Sequence, residues 1–109
     1  MGLIIKKRAS GEEIKRLSAH FKGYTKVVVD IERELLAGGG DRHADDEKIL
    51  LEDGSKQKNL WGGGYDLETK EIDYNSIINL RPKEGNPSRD ILSEEVRKKF
   101  EKIIRKLLS

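Results

Sequence analysis

Cysteine is absent from the 109-residue chain, which excludes disulfides, thiolate zinc sites and cysteine nucleophiles together. Histidine is almost absent too, since His20 and His43 are the only ones. No histidine-rich segment therefore completes a metal-ligand set. Aromatic residues make up 6% of the chain and none joins the basic side of the last helix, so a stacking platform for single-stranded nucleic acid is missing there. No apolar run approaches the ~18 residues that cross a bilayer, and no membrane partner is expected. Leu3-Ile4-Ile5 is too short for a signal peptide, which makes the cytoplasm the expected location. The patterns G-x-S-x-G, G-x-G-x-x-G and the P-loop are all missing, so neither a serine-hydrolase elbow nor a nucleotide fingerprint is offered.

A charge excess of one sign is also lacking. Charged residues are 39% of the chain, yet the net charge is +2. That balance argues against a whole-protein electrostatic grip on nucleic acid. Many Lys and Glu with one Met and no Cys is a thermophile-like composition, because ion-pair networks gain value as charge desolvation becomes cheaper on heating. A chain of this length suits one domain, 1–109, with a sizeable core of its own.

Along the chain, Leu3 to Lys7 reads as a short strand. Ser10 and Glu13 fit a capping box that opens a helix, with Ile14, Leu17 and Phe21 on one face and Gly23 at its end. Val27-Val28-Val29 predicts a buried strand over Lys26 to Ile31. A turn at Glu32-Arg33 then leads into a second strand, Glu34 to Gly39, in preference to a short helix capped by Asp30. Asp45 to Glu52 reads as a short helix with Ile49, Leu50 and Leu51 inward, ended by Gly54. Leu60 to Asp66 and Glu71 to Arg81 form a second strand pair. Gly62, Gly63 and Gly64 suggest a bulge in the first, and Ile77-Ile78-Asn79-Leu80 suggests a central position for the second. A long polar loop over 82–92 precedes a helix capped by Ser93, with an apolar stripe of Val96, Phe100, Ile103, Ile104, Leu107 and Leu108. Strands in runs with helices between and beyond them predict an α+β fold. It has a mostly antiparallel sheet of about five strands with an N-terminal, a short middle and a long C-terminal helix packed on it.

Four features bear on function. In Asp41-Arg42-His43-Ala44-Asp45-Asp46-Glu47, a helix puts His43 and Glu47 on one face, and Asp46, three from His43, can join them. One imidazole and carboxylates suit a divalent metal or a proton-transfer pair, although acidic residues also collect at helix starts for the dipole alone. Around the polar loop, Arg81 and Arg89 offer planar forks for phosphate or carboxylate, with Asn79, Asn86 and Ser88 to orient the ligand. The competing reading is a set of turns around Pro87 with the arginines paired to Glu84 and Asp90. Trp61 beside the glycines and Tyr65 could wall a ligand, or belong to the core. The basic residues of the last helix, from Arg97 to Lys106, read as a solvated face tempered by Glu94, Glu95 and Glu101 rather than a nucleic-acid interface.

Val28-Val29-Asp30-Ile31-Glu32, His43-Ala44-Asp45 after glycines, Leu50-Leu51-Glu52-Asp53-Gly54-Ser55-Lys56-Gln57, Leu60-Trp61-Gly62, Ile77-Ile78-Asn79-Leu80-Arg81-Pro82 and Gly85-Asn86-Pro87-Ser88-Arg89 stand in this order. Together they resemble a family of small prokaryotic proteins, domain of unknown function 5674, over about residues 27–98. The resemblance implies a small stand-alone α+β domain and no established activity. Its motif residues fall on His43, Asp45, Gly54, Ser55, Trp61, Asn79, Arg81, Asn86, Ser88 and Arg89. The chain departs from the family pattern after Trp61-Gly62, where Gly63-Gly64-Tyr65-Asp66 replaces an asparagine-containing stretch.

Three readings follow. The leading one is a small anionic ligand, bearing phosphate or carboxylate, held by Trp61, Asn79, Arg81, Asn86, Ser88 and Arg89. The second is a metal-assisted hydrolase or nuclease with His43, Asp45 and Glu47 on a divalent metal. The third is a protein-interaction module or homo-oligomer pairing through edge strands from the Gly-rich segments.

Overall fold

The computed structural model describes residues 2–19 and 22–109. The elements are β1 (Leu3–Ile5), α1 (Gly11–Leu17), β2 (Tyr24–Asp30), β3 (Leu35–Gly38), α2 (His43–Glu52), β4 (Leu60–Asp66), β5 (Ile72–Asp73) and α3 (Glu94–Leu108). The five strands form one antiparallel sheet in the order β1-β3-β2-β4-β5. This is the expected α+β fold. Among the described residues, no helix is long and apolar enough to cross a membrane.

Strand β2 lies at the centre and is covered on both faces, which is why it reads as a continuous apolar run. Val27 and Val29 join a cluster with Leu17 of α1 and Phe100, Ile104 and Leu107 of α3. Val28 joins Ala37, Leu60 and Leu50 of α2 on the other side. The period-2 alternation of a strand thus sorts three adjacent valines between two layers of helix. Ser10 and Glu13 make the expected capping box. Ser93 caps α3 through the Val96 N–H at 3.2 Å. The five buried residues of α3, Phe100, Ile103, Ile104, Leu107 and Leu108, are the expected stripe, each contributing about 1.5–3 kcal/mol by burial.

The sequence and the structure part company at several points. Helix α1 ends at Leu17, well before Gly23; Phe21, expected on the same face, and His20 lie outside the described residues. Leu51 is 41% exposed rather than inward, because Leu50 already fills the inner position of the last turn of α2. The register of β4 against β2 runs unbroken from Tyr24↔Asp66 to Asp30↔Leu60, so the glycines make no bulge. They serve close packing instead. A Cβ on Gly62 would sit 2.6 Å from Ser76 Cβ, and one on Gly64 would overlap the Tyr24 hydroxyl.

The largest difference is at 77–80. The expected central strand is a 3-10 turn, Ile77–Asn79, with Ile77 and Leu80 exposed. β5 is a two-residue edge strand that ends at Asp73, and the edge of β4 beyond it is completed by a side chain. The Asn79 amide accepts from Gly62 N at 2.8 Å and donates to Gly62 O at 2.9 Å. It supplies the two bonds a neighbouring strand would make, and turning it sideways coils the chain. Within the 82–92 loop, Pro82–Glu84 forms another 3-10 turn, and Arg81 and Asn86 exchange backbone hydrogen bonds. The Gly-rich strands β3 and β4 are interior, so the sheet's edges are β1 and β5 rather than the expected segments.

Candidate functional site

The residues expected around an anion divide into supports and surface. Asn79 is fully buried, and the two hydrogens of its Nδ2 are shared among the carbonyls of Gly62, Tyr74 and Arg89. The two hydrogens of Asn86 Nδ2 are shared among the carbonyls of Asn79, Ser88 and Asp90, and its Oδ1 accepts from Leu92 N. Arg81 is 8% exposed. Its Nε donates to Ile78 O at 3.1 Å, its Nη1 to Lys58 O at 3.3 Å, and its Nη2 to Leu60 O. Its guanidinium stacks 4.3 Å from the centre of the half-buried Trp61 ring. Burial pulls the Arg81 pKa below its ordinary value. Ser88 accepts from Asp90 N, and Arg89 is exposed. These side chains hold backbone together, and Arg81 in particular braces the segment that enters β4.

The expected metal ligands are not gathered. His43 Nε2 lies 2.6 Å from Gly63 O, and burial lowers its pKa despite that carbonyl. A neutral ring with its proton on Nε2 fits both facts. Asp45 faces solvent and accepts from Arg42 N at 3.3 Å, closing the start of α2. Glu47 Oε2 is buried without a partner among the described residues. No group of three or more His, Asp or Glu among the described residues could hold a metal ion.

A different set of residues does converge. The turn between β2 and β3 is built on Asp30, which is fully buried. Its Oδ1 accepts from both Glu32 N and Arg33 N at 2.9 Å, fixing the turn. Facing it is the connection from α2 to β4, which leaves the helix at Gly54 (φ +105°). Arg33 spans the two, donating at 2.8 Å to Ser55 Oγ and at 2.8 Å to Asp53 Oδ2. Asp53 also meets Lys6 at 3.2 Å, and these partners, Arg33 first, hold its carboxyl below the usual range. Ile31 N donates to Asn59 O, and Arg81 grips Lys58 O from behind.

Between turn and connection lies a cleft of about 340 Å³, lined by Asp30, Glu32, Arg33, Lys56, Lys58 and Asn59. Its size falls within the range of small-molecule sites. Lys56 and Lys58 are exposed and make no ion pair among the described residues. The charge of Arg33, by contrast, is offset by Asp53. A second cleft, of about 360 Å³, lies beside α2 and is lined by Asp41, Asp45, Lys48, Ile49 and Glu52. Asp46, fully buried on the same helix, has its carboxyl pushed up to about 7, mainly by burial.

None of the cleft's chemistry stands out in the sequence. Asp30 and Arg33 sit in a turn without glycine, and Lys56 and Lys58 are two lysines among many. Their signals are the family-like stretches around Asp30 and Lys56 and the tight grouping of Gly54, Ser55, Lys56 and Lys58 between a helix and a strand.

The family described as Protein of unknown function (DUF5674) matches residues 3–107, and the chain belongs to it. Neither the curated proteins nor the solved structures contain a match.

Proposed function

We propose that this member of the family binds a small anionic ligand, bearing phosphate or carboxylate, in the cleft between the β2–β3 turn and residues 54–59. The observation that carries the reading is the pair of uncommitted lysines, Lys56 and Lys58, at the rim of a cleft whose walls are fixed by hydrogen bonds. Ammonium groups bind phosphate as point charges. Arg33, its charge offset by Asp53, fixes the cleft wall through the fork it holds on Asp53 and Ser55. In this reading Arg81 contributes by anchoring Lys58 O rather than by touching the ligand. Asn79 and Asn86 shape the surroundings, and Trp61 backs Arg81.

A thermal-shift series tests it. Inorganic phosphate at about a hundred times its Kd should stabilise the fold by ~2.7 kcal/mol. That corresponds to a midpoint rise of roughly 10–20 °C for a domain of this size. Lys56→Ala with Lys58→Ala should abolish the rise without lowering the ligand-free midpoint. An equal rise in the double variant would place the anion elsewhere.

A further inference from the structure

Resting on the same cleft, we infer that its ligand is a sugar phosphate, with the phosphate on the lysines and a sugar hydroxyl donating to Asp30 Oδ2. Asp30 is fully buried and lines the cleft. Its Oδ1 receives two backbone N–H bonds, whereas Oδ2 is buried with no partner among the described residues. Buried acceptors without partners are rare because they forfeit the hydrogen bonds water would give. A carboxylate oxygen only accepts, so the group that completes it must donate. A doubly ionised phosphate ester has no hydrogen to donate and is repelled by Asp30 and Glu32. The anionic end of the ligand is thereby directed to Lys56 and Lys58, and the donor to Asp30.

Two considerations select a hydroxyl rather than an ammonium as that donor. The two N–H bonds on Oδ1 already satisfy that side of the Asp30 carboxylate, leaving one oxygen that a single neutral donor completes. Two separate lysines match a doubly charged phosphate better than a single carboxylate, and the Arg33 fork that would grip a carboxylate is committed to Asp53 and Ser55. What remains is a neutral donor a short distance from a phosphate, which is the chemistry of a phosphorylated sugar. A free sugar phosphate and the ribose phosphate of a nucleotide share it.

Calorimetric titration of the full chain with inorganic phosphate, ribose 5-phosphate, O-phosphoethanolamine and adenosine monophosphate separates the cases. Ribose 5-phosphate should bind at least ~10-fold tighter than inorganic phosphate, the weight of one hydrogen bond to a charged group. Asp30→Asn should erase that advantage, and because it removes a repelling charge it should leave inorganic phosphate binding no weaker than in the native chain. Adenosine monophosphate binding equally well points to nucleotides, and its failure to bind points to free sugar phosphates; either upholds the shared chemistry. Phosphoethanolamine binding tighter than ribose 5-phosphate would overturn the hydroxyl assignment, as would equal affinity for ribose 5-phosphate and inorganic phosphate. In both results the anion site itself survives. No binding by any probe would remove the anion site and this inference together. Should Asp30→Asn not fold, amide shifts of Glu32 and Arg33 in the wild-type chain decide. They should move with ribose 5-phosphate and stay still with inorganic phosphate, and equal movement would refute the contact.

Discussion

Replacing Asn79 by alanine should be among the most damaging single changes in the molecule. The side chain is fully buried and its amide meets four backbone groups, accepting from one and sharing its two hydrogens among three. Two of its acceptors keep another partner after the change: Tyr74 O still receives Ile91 N, and Arg89 O still receives Ser76 N, each at 3.0 Å. Gly62 N and Gly62 O lose the partner that completes the β4 edge. Each buried backbone group left without a partner costs about 1–3 kcal/mol, and the vacated volume adds to that. A loss of about 3–5 kcal/mol follows, at the upper end of single substitutions. Guanidinium unfolding followed by circular dichroism should show the midpoint falling with an unchanged slope. Asn79→Asp is the sharper test because it preserves shape. It keeps the acceptor for Gly62 N but turns a carboxylate oxygen toward three carbonyls, so it should lose at least as much at neutral pH and recover partly in acid. A loss below about 1 kcal/mol for either variant would refute the claim that this amide stands in for a strand, given the usual cost of orphaned groups.

Arg81→Ala should lower stability by about 2–4 kcal/mol through three lost charge-assisted bonds and the Trp61 stack; calorimetric titration should show phosphate affinity weakened a few-fold but not abolished, since the residue supports the cleft wall. Burial holds the Asp46 carboxyl up at about 7, so the native state keeps a proton that the unfolded chain releases near its ordinary pKa. The contribution of Asp46 to stability should therefore be greatest in acid and decline as pH rises toward 7, and Asp46→Asn should remove that decline, on the order of 2–4 kcal/mol, when its pH-dependent unfolding is compared with that of the native chain. Gly64→Ala should destabilise strongly because its Cβ would overlap the Tyr24 hydroxyl, whereas Gly11→Ala, with open space around it, should be neutral or slightly stabilising in the same melts.

The parts of the fold that were legible rest on signals local to a few residues. The Ser10–Glu13 box, the three valines of β2, the Gly54 helix stop and the α3 stripe each declare themselves within about one or two turns of chain, where propensity and periodicity act. The apolar run Ile77-Ile78-Asn79-Leu80 misled because its conformation is decided by a partner far along the chain. Asn79 must reach Gly62, and satisfying that edge overrides β propensity. Polarity misled in the same way at Arg81 and Asn86. Their donors look like ligand contacts in sequence, yet they meet main-chain carbonyls that only the fold brings near. The glycines of β4 resembled an opening for a ligand and are instead filled by Ser76 and Tyr24. The hairpin-turn cleft escaped notice for the complementary reason. Asp30 and Lys56 lie in family-like stretches, but Asp30, Lys56 and Lys58 match no ligand-binding spacing, and only the pairing Asp30↔Leu60 in the sheet brings turn and connection together.

The measurement that bears most directly on the anion cleft is a two-dimensional amide-shift titration of the full chain with inorganic phosphate, run in parallel on the Lys56→Ala/Lys58→Ala variant. Saturable shifts centred on residues 54–59 of the native chain, absent from the variant, are the predicted result. Shifts centred on Ser88 and Arg89 and retained in the variant, or no saturable shifts at all, would contradict the assignment.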